Sequence, residues 1–324
     1  MPKEMTHWLV ADRAVRELEG TALGRAAADQ PNLLRLGAIL PDALFYLRWP
    51  GLSRRFGRLA DRIHGLDGED TFETLAAVLA AAGRAARPDP WLALGVGLAS
   101  HVFTDAVFHP LVHYHSGDFC HPDRRVKSRA IQAHRRLETA VDIHLKGGLE
   151  KVRAPRLAGL IAGAEVPLPA ILTRIEWPYL GPGQDLDFVR ALMISLRLFS
   201  RVQAACVHPF WGEILASGDR LPFQAGREVA VLAYSLRLAR RCALLDGPIA
   251  YCHPITGQEL RASLAELAHR AVCRTTDFCR EVDGRLAKGE ALLPPGPGPS
   301  LEVDQPGVAL AQARHFSPAG PLFP

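Results

Sequence analysis

The chain has 324 residues, 48% of them hydrophobic, and a formal net charge of +4. This length and apolar fraction can fill a sizeable core, and they exclude wholesale disorder. Its 38 basic residues face 34 acidic ones and form no run dense enough to suggest duplex nucleic acid as a partner.

Helical periodicity dominates from the N-terminus, and alternating strand patterns are scarce, which predicts an all-α fold. Thr6 reads as the N-cap of a helix to about Glu19, with Trp8, Leu9, Ala11 and Val15 on its apolar face. Pro31-Asn32 punctuates the chain, and the short apolar segment Leu33 to Leu40 runs into Pro41-Asp42. Further helices are expected near 54–65, 70–86, 90–108 and 128–147. Pro110 should end the third of these near His109, because the residue before a proline disfavours the α conformation. Helices near 155–164, 185–216, 223–245 and 258–288 follow, with a connector through Gly181-Pro182-Gly183. One helical domain over 1–290 and a poorly ordered Pro/Gly-rich tail over 291–324 complete the expected organisation.

No apolar stretch reaches the ~18 residues of a membrane span, and the N-terminus lacks an apolar export signal. Six cysteines, at 120, 206, 242, 252, 273 and 279, form no C-x-x-C pair and fit no disulfide framework. Together these features predict a soluble cytoplasmic protein with reduced thiols.

Two predicted helices carry ligand-type residues at every fourth position: His101, Asp105 and His109 on one, and His134, Glu138 and Asp142 on the other. Residues four apart differ by only ~40° around a helix, so each set lies along one face. A lone histidine on an apolar face reads first as a hydrogen-bonded core residue. The set reads differently, because an unpaired carboxylate in the most apolar helix would cost several kcal/mol. A divalent cation such as zinc is the simplest compensation, and a metal-free Asp–His ion pair is the competing account. His7, Asp42 and His64 are further candidates. Each also fits a plain role, as a helix-terminal histidine or a turn aspartate. Asp142 reads as a partner holding a ligand histidine or as half of a salt bridge. The basic run Arg124-Arg125-Val126-Lys127-Ser128-Arg129 reads first as a solvated approach to a helix, and second as a contact for an anionic head group or lipid surface.

Taken in order, Thr6-His7-Trp8, Leu40-Pro41-Asp42, Ile63-His64-Gly65, His101-x3-Asp105-x3-His109-Pro110 and His134-x3-Glu138 resemble the zinc-dependent phospholipase C family over about residues 5 to 146. The His109-Pro110 pair and the segment His253-Pro-Ile-Thr-Gly257 are similar to its intracellular bacterial branch. The resemblance implies an all-α, multi-helix phospholipase C/nuclease-like bundle around two or three zinc ions. By position, Asp42, His64, His101 and Asp105 would hold one zinc, and His109, His134 and Glu138 a second. His7 would approach a third, shared through Asp105. Secreted members bind that third zinc through an N-terminal tryptophan, whereas here Trp8 follows His7. His113, His115 and His121 are alternatives to His109, because the Asp105–His109 spacing is shorter than in the secreted enzymes.

The implied activity is phosphodiester hydrolysis by metal-activated water, with Asp42 as ligand and general base. The expected substrate is a phospholipid or another phosphodiester, reached through peripheral membrane contact where it is a lipid. Two other readings stand beside it: a single-strand nuclease on the same fold, and a non-catalytic helical protein with a structural metal.

Overall fold

The N-terminal helix α1 (Glu4–Glu17) starts before the predicted cap Thr6 in a computed structural model that describes residues 3–47, 50–154, 156–181, 183–220 and 224–323. Outside the described residues lie Met1-Pro2, Pro182 of the predicted connector, Pro324, and the positions where the predicted helices 155–164 and 223–245 begin. The first amides of α1 are met from far along the chain. Asp142 accepts from the Met5 N–H at 3.1 Å, and from the Thr6 N–H and hydroxyl at 2.9 and 2.6 Å. Two of the four orphan donors that open a helix are thus satisfied by a tertiary carboxylate.

After α2 (Ala22–Asp29) the segment read as merely apolar is mostly helical, as α3 (Pro31–Gly37) and α4 (Leu40–Ala43), each with proline in its first turn. The single helix expected over 54–65 divides into α5 (Pro50–Phe56) and α6 (Leu59–Ile63), and α7 (Phe72–Arg84) follows.

Helix α8 (Asp89–Ser116) is the axis of the molecule. It packs against α1, α2, α3 and α7. Almost every residue from Trp91 to His113 is buried, which is why it lacks a polar face. It is long and apolar enough to cross a membrane, but its apolar window is wholly covered by protein. The expected stop at Pro110 does not occur. A proline inside a helix loses one hydrogen bond and crowds the preceding turn, at about 3 kcal/mol. Burial of Leu111 and Val112 beyond it offsets that penalty, and the helix runs on to Ser116. Helices α3 and α8 nearly touch at Gly37 and Gly97, where a Cβ on Gly97 would lie 2.1 Å from the Leu34 carbonyl oxygen.

Helix α9 (Arg124–Lys146), capped by Asp123 and ended by left-handed Gly147, lies beside α8. Then come α10 (Leu149–Val152), α11 (Leu157–Ala164), α12 (Pro167–Leu172) and α13 (Asp185–Val207). The helix expected over 185–216 breaks at His208. Its ring nitrogen accepts from the Phe210 and Trp211 amides and opens α14 (Pro209–Ala216). The one expected over 223–245 divides into α15 (Gln224–Ala230) and α16 (Leu236–Arg241). A small hairpin that the pattern did not predict precedes the last helix: β1 (Ile249–Cys252) pairs antiparallel with β2 (Glu259–Ala262), Ile249 facing Ala262. Helix α17 (Leu264–Lys288) therefore starts later than expected, at a Ser263/Glu266 capping box.

Residues 291–323 correct the expectation of a loose tail. They fold back over the body, burying Leu301, Val303, Leu310 and Phe323. The Leu301 amide donates to the His64 carbonyl, the Leu310 amide to that of Leu66, and the Leu322 amide to that of His115. Prolines restrict the unfolded chain, and a few well-placed apolar side chains then suffice to anchor the segment.

Candidate metal centre

The fold brings His7 of α1, Asp42 of α4, His64 at the end of α6, and His101 and Asp105 of α8 into one buried group. The Gly37–Gly97 crossing sets its geometry, because it carries the Ala38 carbonyl to within 2.9 Å of His101 Nδ1. His64 Nδ1 lies 2.6 Å from the Ala60 carbonyl oxygen. Each imidazole donates through Nδ1 and so turns the lone pair of Nε2 inward.

Those inward atoms converge. His64 Nε2 stands 3.2 Å from Asp42 Oδ1, and His101 Nε2 stands 3.4 Å from His64 Nε2 and 3.3 Å from Asp105 Oδ2. A zinc tetrahedron with bonds of ~2.0–2.1 Å has edges of about 3.3–3.4 Å. Two facing imidazole acceptors repel each other unless a cation lies between them. His7 stacks on His101 with centroids 4.4 Å apart, and its Nε2 is 3.3 Å from Asp105 Oδ1. Asp105 thus faces His101 with one oxygen and His7 with the other. Both its oxygens, and both nitrogens of His7, are buried without a hydrogen-bond partner. Burial pushes the Asp105 carboxyl up, but His101, His109 and His7 together hold it well below the usual range. Burial lowers His7, and the Asp105 and Asp42 carboxylates outweigh it, leaving His7 raised. Orphaned buried donors and a charged carboxylate at these spacings fit a divalent cation.

His109 of α8 with His134 and Glu138 of α9 makes a second group, whose ligand atoms lie within 4.8 Å of one another. His134 Nε2 is 2.9 Å and His109 Nε2 is 3.6 Å from Glu138 Oε1. Burial lowers His109 to about 3 and puts His134 well below its usual value, so both stay neutral, the form that binds metal. Asp42, His134 and Glu138 open onto one cavity of about 540 Å³, with apolar walls that include Phe45, Tyr46, Phe199 and Val202. Lys127, from the basic run, and Lys3 and Arg135 stand at the same cavity.

All eight residues expected at the centre are gathered there. His115 and His121 are not; they contact the Ala250 carbonyl and the Asp123 amide instead. Trp8 donates its indole N–H to the Arg35 carbonyl. Asp142 holds the start of α1 rather than a ligand histidine or an arginine. Two residues were missed or undervalued. His113 continues the every-fourth spacing beyond Pro110, and its Nε2 is 2.7 Å from Glu302 Oε2. Glu302 and His113 form a third potential ligand group with His109. Glu302 has no local signal at all, because only the folded-back tail brings it here.

An all-α bundle that gathers buried histidines and carboxylates for two or three zinc ions on a cavity is a zinc-dependent phosphoester hydrolase. Residues 6–176 match the family described as zinc dependent phospholipase C, and the chain belongs to that family. No curated protein and no solved structure matches it.

Proposed function

We propose that the enzyme is a phospholipase C that cleaves the glycerol-side phosphoester bond of a phospholipid. The observation that carries this reading is the cavity, whose apolar walls meet the ligand residues on one side and Lys127 on its rim. Its volume is that of a small-molecule pocket, and its lining suits the apolar part of a lipid beside a phosphate.

Asp42, His64, His101 and Asp105 would hold one zinc, and His109, His134 and Glu138 a second. His7 and the outer oxygen of Asp105 mark the place of a third. Three protein ligands leave one position for water, the pattern of a catalytic site. Bound zinc supplies a water with a pKa near ~7 and positive charge for the phosphate oxygens. Asp42, facing the cavity with Oδ1 3.2 Å from His64 Nε2, takes the proton of the attacking water. The water oxygen bonds to phosphorus, the bond from phosphorus to the glycerol oxygen breaks, and the departing alkoxide gains a proton as diacylglycerol. Lys127 and Arg135 orient the head group and its phosphate.

We place the chain in the intracellular bacterial branch on the His109-Pro110 pair and the turn His253–Gly257. Six free cysteines agree with a reducing cytoplasm. Phe210 and Trp211, exposed on α14, suit a peripheral contact with a lipid surface.

The test is hydrolysis of phosphatidylcholine micelles and of single-stranded DNA by the zinc-loaded protein. Release of phosphocholine, with DNA left intact, is expected. DNA cleavage without phosphocholine release would favour the nuclease reading. Asp42→Asn should lower turnover by at least ~100-fold while some zinc remains bound. Undiminished turnover would remove Asp42 from the role of base.

A further inference from the structure

We propose that the C-terminal segment is a working wall of the metal centre, with Leu301 locking both zinc sites and Glu302 acting as a positioning carboxylate for the second. This rests on the zinc centre described above and extends it to residues far outside the matched stretch 6–176.

Leu301 touches both sites through its backbone. Its amide donates to the His64 carbonyl at 3.3 Å, and its carbonyl accepts from His109 Nδ1 at 2.5 Å. The second contact settles the tautomer of His109: with Nδ1 donating, the lone pair sits on Nε2, which faces Glu138. A metal-ligating histidine is commonly held in this way, and loss of such a partner weakens metal binding by ~10–100-fold.

Glu302 follows directly. It is buried, stands 2.7 Å from His113 Nε2 and 3.5 Å from His109 Nδ1, and reaches the cavity that His134 and Glu138 also line. The His113 ring lies with its centroid 5.0 Å from that of His134 and 5.4 Å from that of His109. Fixing His113 therefore fixes the wall against which both ligand histidines rest. The carboxylate also brings a negative charge to a site whose three ligands include only one other, Glu138.

The segment is anchored by contacts independent of the centre. Thr71 donates its hydroxyl to the Pro299 carbonyl at 2.7 Å, and Arg274 pairs with both oxygens of Asp304 at 2.7 and 2.9 Å. Leu301 and Glu302 lie between these two anchors, so their placement does not depend on a metal being present.

Glu302→Gln keeps the shape and removes the charge, and Glu302→Asp keeps the charge on a shorter arm. Full-length variants would be compared for zinc per chain, zinc affinity against a competing chelator, visible spectra with cobalt in place of zinc, and Tm of the metal-free form. The expectation for Glu302→Gln is a second zinc bound ~10–100-fold more weakly, a changed cobalt spectrum and an unchanged first site, with partial recovery in Glu302→Asp. A residue that only braces the fold would shift the metal-free Tm and leave relative zinc affinity and the cobalt spectrum alone. That result, or equal zinc affinity in Glu302→Gln and the unaltered chain, would overturn the proposal. The zinc count of the unaltered chain tests the centre itself. If that chain takes up no zinc, the centre fails and the positioning role with it. If it takes up two or more and Glu302→Gln behaves identically, only the role of the C-terminal segment fails.

Discussion

Asp105 shows how one residue organises the chemistry. A buried carboxylate without a partner costs several kcal/mol, yet its two oxygens face different histidines and accept no hydrogen bond. With cations on both sides, this carboxylate would lower its own free energy and bridge the two sites. Asp142 presents the opposite case. It too is buried, but it accepts from Met5, Thr6 and Tyr234. Burial, with Glu4 nearby, still raises its carboxyl to about 6. The sign of the pH effect follows. Between about pH 4 and about pH 6 the folded chain holds a proton that the unfolded chain has lost, so this residue's contribution to stability falls as pH rises through that window. Asp142→Asn cannot ionise. The unaltered protein should therefore lose stability relative to this variant from pH 4 to pH 7, read as the difference in urea unfolding free energy at each pH. A constant difference would show that Asp142 is ionised throughout.

The helices place these residues by close approach and by persistence. The α3–α8 crossing has no room for a side chain at Gly97, and the same approach carries the Ala38 carbonyl to His101. Gly97→Ala should therefore act twice. Overpacking should cost about 1–3 kcal/mol in chemical unfolding, and zinc affinity at the first site should fall because His101 loses its orienting acceptor. An equally stable variant with full zinc affinity would mean that the helices part without disturbing His101. Persistence matters at Pro110. By running through it, α8 delivers His113 one turn beyond His109, within reach of Glu302.

Across the whole molecule, the candidate ligands come from the first half of the chain, whereas the cavity beside them also draws on the second half. The eight predicted ligands lie between residues 7 and 138, inside the stretch matched to the family. The cavity walls draw on Leu198, Phe199 and Val202 of α13, on Val229 and Leu232, and on Leu310 of the C-terminal segment. Filling the cavity should then separate substrate binding from catalysis. Val202→Trp is expected to raise KM for a long-chain phospholipid by ~10-fold or more, while hydrolysis of a small water-soluble phosphodiester holds its kcat. Equal loss on both substrates would argue against the cavity as the lipid-binding wall.

The helical fold and most of the candidate ligand set were legible in the sequence because both are periodic and local. Four-residue spacing fixes His101, Asp105 and His109 on one face whatever packs against it, as it does His134 and Glu138. The order of the remaining motifs supplied His7, Asp42 and His64. Local rules failed where long-range packing supplied free energy that propensity cannot register. Burial carried α8 through Pro110, a distant carboxylate capped α1, and buried leucines anchored a segment whose Pro/Gly content signals disorder. The hairpin before α17 was missed because its strands are only four residues each, too short for alternation to register. Glu302 was invisible for a simpler reason. It lies 189 residues from His113 in the chain, and no spacing rule operates over that distance. The sequence by itself determined which residue types could bind a metal and, for His101, Asp105, His109, His134 and Glu138, on which helices they sit. Only the tertiary structure decided which atoms face one another, what lines the cavity beside them, and that the far end of the chain closes the centre.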